Sequence, residues 1–124
     1  MNKLEKDQKV ESPGMKYRHY APKTKCVLVC GNEQEQINKI NEICITKKVC
    51  VLGFGEDESK INANNFISMG SRTNLEEVAK NLFISLREAD KTDNELILIE
   101  GTEEKDIGLA IMNRLIRTCE YNVI

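Results

Sequence analysis

Short apolar runs that alternate with amphipathic segments are the feature that most constrains the fold of this chain. Residues 26–30, 49–54 and 95–101 are continuous aliphatic runs of the kind found in strands buried on both faces, and residues 65–70 form a weaker one. Helical patterns separate these runs, which predicts right-handed βαβ crossovers and a mostly parallel sheet covered by helices. We therefore expect an α/β fold, a small Rossmann-like three-layer sandwich preceded by an extended linker arm.

The predicted helices carry cap signals and apolar stripes. Asn32 is placed to cap the first helix, with Glu33 and Glu35 near its positive end. Asn74 and Glu77 have the spacing of a capping box at the next helix. The residues 121–124 are either a frayed end or a last short strand. The apolar stripes predicted to be buried are Ile37, Ile40 and Cys44, then Leu75, Val78, Ala79, Leu82, Phe83 and Leu86, and finally Ile107, Ile111, Leu115 and Cys119.

The net charge of −2 conceals an uneven distribution along the chain. Residues 1–25 hold seven Lys or Arg against three Asp or Glu, so this N-terminal arm is basic and residues 26–124 are acidic. Because phosphate contacts dominate nucleic-acid binding, an acidic body predicts no direct contact with tRNA or DNA. Prolines and a glycine punctuate residues 12–25, which indicates an extended linker. We divide the chain into an arm, residues 1–25, and a domain, residues 26–124.

The domain offers few of the elements that catalysis or cofactor binding needs. Gly31 alone follows the first run, where a dinucleotide fingerprint has three glycines. Gly53 and Gly55 would allow a close backbone approach, but the carboxylates of residues 56–58 follow and would repel a phosphate. No GxSxG elbow is present, and the only histidine, His19, lies in the arm. We expect no catalytic residue and no cofactor of this chain alone, and we interpret the loop carboxylates as solvated.

Cysteine usage and hydropathy indicate a reducing, aqueous compartment. The five cysteines are an odd number, form no CxxC pair and lie within aliphatic patterns, which predicts reduced, buried thiols and no metal site. No segment approaches the ~18 consecutive apolar residues of a membrane span. The N-terminus also lacks the apolar core of a signal peptide. We expect a cytoplasmic protein with no membrane contact.

One short stretch of the arm concentrates groups that can bind a nucleotide. Lys16 and Arg18 are cations, Tyr17 and Tyr20 supply rings, and His19 is a hydrogen-bond donor. Lysine and arginine neutralise phosphates, and tyrosine rings pack on a base or a ribose. Composition alone favours a plain solvated linker, and a phosphate or nucleotide contact is the alternative.

Three segments of this chain resemble the long, two-domain threonylcarbamoyl-AMP synthases. Residues 13–23, PGMKYRHYAPK, match the PGMxYxHYxP signature of that family's interdomain linker at each fixed position. Residues 86–90, LREAD, resemble its LRExD segment, and residues 108–115, GLAIMNRL, resemble its GxAxxNRL helix. The linker motif is long and specific, and the other two support it. The resemblance implies that residues 26–124 are the family's Rossmann-like C-terminal domain.

The resemblance also implies a function and a set of site residues. Such enzymes condense L-threonine, bicarbonate and ATP into threonylcarbamoyl-adenylate and pyrophosphate, for the threonylcarbamoyladenosine modification of tRNA. Their linker lies over the pocket of an N-terminal catalytic domain. Carried over, Tyr17, His19 and Tyr20 face that pocket and Lys16 neighbours a phosphate, with Tyr20 the first choice for a nucleotide contact.

This chain lacks the family's catalytic domain, so we expect it to be a regulatory domain with a gating linker that is not catalytic alone. ATP would be a substrate of the complete enzyme, and the catalytic domain would be the partner, in cis or in trans. Two alternatives remain open. The chain could be a stand-alone interaction or dimerisation module, with a possible homodimer. A small nucleotide-binding enzyme would instead require ATP binding by residues 26–124.

Overall fold

Four parallel strands form the centre of the domain. The computed structural model describes residues 21–124. Its strands are β1 (Lys25–Val29), β2 (Val49–Phe54), β3 (Asn65–Gly70) and β4 (Leu96–Glu100). Their order across the sheet is β1-β4-β2-β3, and each of these pairings is parallel. The four apolar runs are therefore confirmed as strands, including the weaker third run.

Helices cover both faces of this sheet. They are α1 (Glu33–Cys44), α2 (Leu75–Asp90) and α3 (Ile107–Thr118), and a 3-10 helix (Gly55–Lys60) follows β2. Side chains alternate between the faces along each strand. In β1, Cys26 and Leu28 pack in the cluster with α2 and α3, whereas Val27 and Val29 pack in the cluster with α1. The predicted three-layer α/β arrangement with a parallel sheet is confirmed.

The last residues of the chain lie beside β1, on the side away from β4. Val123 forms a parallel bridge with Leu28. The Leu28 amide donates to the Asn122 carbonyl at 2.9 Å, and the Ile124 amide donates to the Leu28 carbonyl at 3.0 Å. Of the two interpretations of residues 121–124, these bonds favour the short strand.

Both predicted N-caps are present. The Asn32 side chain accepts from the Glu35 amide at 2.9 Å, and the Glu35 carboxylate accepts from the Asn32 amide at 2.8 Å, which completes a capping box at α1. At α2, the Asn74 side chain accepts from the Glu77 amide at 3.3 Å, but the Asn74 amide donates to the Ser71 carbonyl at 3.0 Å, so only half of the predicted capping box forms. Each bond satisfies a backbone group that the helix itself leaves unpaired.

Two residues of the predicted stripes are exposed, and three more, Cys44, Leu75 and Phe83, are only partly buried. Ala79 is exposed and Ile107 is 40% exposed, while Ser85 and Ala89 occupy the buried face of α2. Ala79 and Ile107 line an open cleft of about 730 Å³ between α2 and α3, which keeps both side chains in contact with solvent. Helical periodicity predicted which side of each helix faces the core, but the spacing between neighbouring helices decides how far burial extends around it.

All five cysteines are free thiols. Cys26, Cys50 and Cys119 are buried as predicted, whereas Cys30 and Cys44 are partly exposed. Among the helices of residues 21–124, none combines the length and the apolarity that crossing a membrane requires.

A pair of substitutions on α2 tests this packing. Leu82 is 1% exposed and Ile84 is 59% exposed on the same helix. We expect Leu82→Ala to lower the free energy of unfolding by about 2–5 kcal/mol, because it removes buried apolar volume. Ile84→Ala should change it by only about 0.5 kcal/mol or less. Urea denaturation measures both, and equal losses would contradict the orientation of α2.

Candidate functional site: the linker anchor and the carboxyl-edge cluster

The site residues predicted from sequence, Lys16, Tyr17, His19 and Tyr20, lie outside the described residues. The described residues begin at Ala21 and show how the segment that follows the predicted site joins the domain. That junction lies at the edge of the sheet where the strands begin, because Lys25 is the first residue of β1.

A single carboxylate holds the end of the arm. Asp90 Oδ2 accepts from the backbone amide of Lys23, and Asp90 Oδ1 accepts from that of Thr24, each at 3.0 Å. Partial burial disfavours the charged form, but the two amides outweigh it and hold the pKa of Asp90 below its usual value. We call Lys23, Thr24 and Asp90 the linker anchor.

At the opposite edge, where the strands end, ionic side chains gather in a second group. Arg72 Nη2 lies 2.8 Å from Asp57 Oδ2 and 3.6 Å from Glu100 Oε2. Asp57 and Glu100 are fully buried. The guanidinium carbon of Arg72 lies 4.4 Å from the centre of the Phe54 ring, a cation–π contact. We call Asp57, Arg72 and Glu100 the carboxyl-edge cluster.

The two carboxyl groups of this cluster differ in protonation. Burial raises the pKa of Glu100 to about 8, and the neighbouring Asp57 carboxylate adds to the effect. Asp57 is also buried, but the hydrogen bond from Arg72 outweighs this and lowers its pKa. Among the described residues, Asp57 Oδ1 and Glu100 Oε2 are buried without a hydrogen-bond partner, and a proton on Glu100 that is shared with the Asp57 carboxylate would supply one. At neutral pH the cluster then contains one cation and one anion.

Gln36 of α1 joins this cluster to two loops. Its Nε2 donates to the carbonyls of Val29 at 2.9 Å and Gly101 at 2.8 Å, and its Oε1 accepts from Arg72 Nη2 at 3.1 Å. One buried amide therefore fixes the ends of β1 and β4 relative to the arginine. A cleft of about 450 Å³ opens beside it, with Arg72, Gln36 and Thr102 in its wall.

The sequence interpretation of the loop carboxylates was wrong for Asp57, which is buried and paired rather than solvated. Gly53 does allow a close approach, and the approaching group is Glu100, whose Oε1 would lie 2.5 Å from a Cβ at that position. Glu100 Oε1 accepts instead from the Phe54 amide at 2.8 Å. The signal that was overlooked is a glutamate that ends an apolar run, since a buried strand end requires a partner for its charge.

Within residues 21–124, no set of three or more His, Cys, Asp or Glu side chains is arranged to hold a metal ion. The described domain is a three-layer fold with a parallel sheet. The carboxyl-edge cluster lies at one edge of the sheet, and the linker anchor lies at the opposite edge. This architecture defines a small three-layer α/β domain with a parallel sheet, and comparison with known proteins identifies its family.

The family model described as "Threonylcarbamoyl-AMP synthase, C-terminal domain" matches residues 1–119. Threonylcarbamoyl-AMP synthase from Pyrococcus abyssi is 41% identical over 119 residues, which is 92% of this chain and 33% of that protein. The crystal structure of P. abyssi Sua5 complexed with L-threonine superposes with a TM-score of 0.76 at 42% identity, over 91% of this chain and 33% of that one. A variant of that protein, with one histidine and the following tyrosine changed to alanine, gives a TM-score of 0.72 at 37% identity, over 83% of this chain and 30% of that one.

The chain belongs to the family of threonylcarbamoyl-AMP synthase C-terminal domains. It spans about a third of the length of the relatives it matches. The resemblance drawn from the linker, LRExD and GxAxxNRL segments is confirmed.

The titration of Glu100 predicts an unusual pH dependence of stability. The folded chain keeps this proton up to about pH 8, whereas an unfolded glutamate releases it near its ordinary pKa of 4.5. The contribution is complete below the unfolded pKa and is lost as the pH rises through the folded pKa. Relative to Glu100→Gln, the wild-type free energy of unfolding should fall by about 3–5 kcal/mol between pH 5 and pH 8.

Denaturation of both proteins at several pH values measures this difference. A glutamine keeps an oxygen for the Phe54 amide, and its amide N–H replaces the carboxyl proton as the donor to Asp57, so the fold is preserved. Glu88→Gln, on the exposed side of α2, is the matched control and should parallel the wild type throughout. Parallel curves for Glu100→Gln and wild type would show that Glu100 is ionised in the folded chain.

Removal of the arginine should cost far more than removal of a surface cation. Arg72→Ala leaves the buried Asp57 carboxylate without its counter-ion and should lower the free energy of unfolding by about 3–5 kcal/mol. Lys60→Ala removes an exposed pair with Glu33, 3.3 Å apart, and should cost less than about 1 kcal/mol. Guanidinium denaturation at pH 7 compares the two, and similar costs would contradict the structural role of the cluster.

Proposed function

We propose that this chain is the C-terminal regulatory domain and active-site-gating linker of a threonylcarbamoyl-AMP synthase. The observation that carries the proposal is the family match over residues 1–119, which includes the linker motif as well as the domain. The complete enzyme would convert L-threonine, bicarbonate and ATP into threonylcarbamoyl-adenylate and pyrophosphate, for the modification of tRNA in the cytoplasm. A catalytic part, in cis or in trans, is the partner that this role requires.

The chemistry of residues 16–20 supports a contact with ATP. Lys16 can neutralise a phosphate, and the rings of Tyr17 and Tyr20 can stack on the base or ribose. His19 is the only histidine of this chain and is followed directly by Tyr20. The P. abyssi variant was altered at one such histidine–tyrosine pair. We infer that His19 and Tyr20 meet the nucleotide when the catalytic part is present.

The charge distribution supports a division of labour between arm and domain. The basic arm suits an anionic substrate, whereas the acidic residues 26–124 do not attract phosphate. The arm supplies binding energy to a pocket that another domain preorganises, as gating segments do. In this role the domain contributes a fixed point for the arm, and ATP is a substrate of the complete enzyme rather than a cofactor of this chain.

A chimera tests the proposal. This chain replaces the matching third of the P. abyssi synthase. The activity is assayed at a temperature at which circular dichroism shows that the chimera is folded. We expect release of pyrophosphate from ATP that depends on threonine and bicarbonate, and none when the chain is omitted from the fusion. A folded chimera without this activity would contradict the proposal.

Tyrosine substitutions in the same chimera test the gate. Changing Tyr17 and Tyr20 together to Ala should lower kcat/KM for ATP by about tenfold or more, because base or ribose stacking is lost. Tyr121→Ala is the matched control, since this tyrosine is 71% exposed on the domain. Equal activity of the double variant and the control would show that the arm does not contact the nucleotide.

A further inference from the structure

Asp90 binds the arm at Lys23 and Thr24, a few residues after the predicted nucleotide-contact residues 16–20. We propose that Asp90 is a positioning residue of the synthase reaction, which fixes where the gating linker leaves the domain. This inference rests on the proposed function for its role in catalysis. The anchor itself rests on described contacts alone.

The contact geometry is that of a fixed attachment. Two consecutive amides, of Lys23 and Thr24, donate to the two separate oxygens of Asp90, each at 3.0 Å. Residue 25 then enters the sheet opposite Leu96. The arm is thus bound on one side of the junction by a carboxylate and on the other by a strand. Hydrogen bonds to a charged acceptor are about twice as strong as neutral ones.

An aspartate at the C-terminal end of a helix is electrostatically unfavourable, which indicates that Asp90 is needed for a contact outside the helix. It is the last residue of α2, where the helix dipole places partial negative charge. A cation stabilises a helix there and an anion does not. Asparagine would fit the same space without this cost but offers only one accepting oxygen. Two amide partners explain why the position carries a carboxylate.

The anchor also joins two of the segments that identified the family. Asp90 is the final residue of the LREAD segment, and Lys23 is the final residue of the PGMKYRHYAPK segment. The two are 67 positions apart in sequence and meet through the Lys23 amide. The LREAD segment therefore does more than form the end of α2, because its last residue, Asp90, binds the linker just before β1.

The linker anchor lies close in sequence to the predicted site residues, which limits how far they can be from it. An extended chain spans at most about 3.3–3.6 Å per residue. In the sequence, Tyr20 precedes Lys23 by three residues and Tyr17 precedes it by six. A short tether from a fixed point raises the effective concentration of the groups that it carries.

Amide hydrogen exchange of the full chain, followed by NMR, tests the anchor directly. In Asp90→Asn and Asp90→Ala we expect the Lys23 and Thr24 amides to exchange about tenfold faster or more, since charged hydrogen bonds are lost. The Leu28 amide, within the sheet, should keep its rate and shows that the variants are folded. Asp93→Asn is the matched control, because the Asp93 side chain is exposed and 4.0 Å from Lys48. Unchanged exchange at Lys23 and Thr24 would overturn the anchor.

A double-mutant cycle in the chimera tests the positioning role. Asp90→Asn alone should lower kcat/KM for ATP about three- to tenfold, mainly through KM. In the background of Tyr17→Ala with Tyr20→Ala it should have no further effect, because Asp90 acts through those tyrosines. Additive losses, or an unchanged kcat/KM for Asp90→Asn, would overturn the positioning role. If the tyrosine variant alone has no effect, the proposed gate fails, and the exchange rates still decide whether Asp90 holds the arm.

Discussion

Because the four strands run in one direction, their carboxyl ends meet at one edge, and the domain depends on the neutrality of the charges that gather there. Asp57, Arg72 and Glu100 each lie at or just after the end of a strand. Arg72 balances one carboxylate, and a proton on Glu100 removes the second charge. Gln36 then ties the arrangement to the ends of β1 and β4. The common direction of the strands thus brings these charged side chains together, and it also requires that their charges cancel within the cluster.

Most of the fold could be predicted from the sequence because its signals are local. Strands buried on both faces leave continuous apolar runs, and the Asn32 and Asn74 caps lie within three residues of their partners. The failures at Ala79 and Ile107 have a physical cause. Periodicity identifies the inward side of a helix, but the cleft between α2 and α3 depends on how the two helices pack.

The polar contacts could not be predicted, because they join residues that are distant in sequence. Glu100 meets the Phe54 amide across 46 positions, and Asp90 meets Lys23 across 67. Composition marked residues 56–58 as acidic without distinguishing the buried Asp57 from its exposed neighbours. The linker motif identified the family, but the structure is needed to show that the Asp90 carboxylate accepts from the backbone amide of Lys23.

The position of β1 has a consequence for folding during synthesis. Its partner β4 begins at Leu96, and the bridge on its other side involves Val123, so β1 acquires neighbours only after the ribosome has made most of the domain. The Asp90 carboxylate likewise emerges long after Lys23. Contacts of such long sequence separation form slowly. The end of the arm at Lys23 and Thr24 would therefore become attached to Asp90 only late in the folding of the domain.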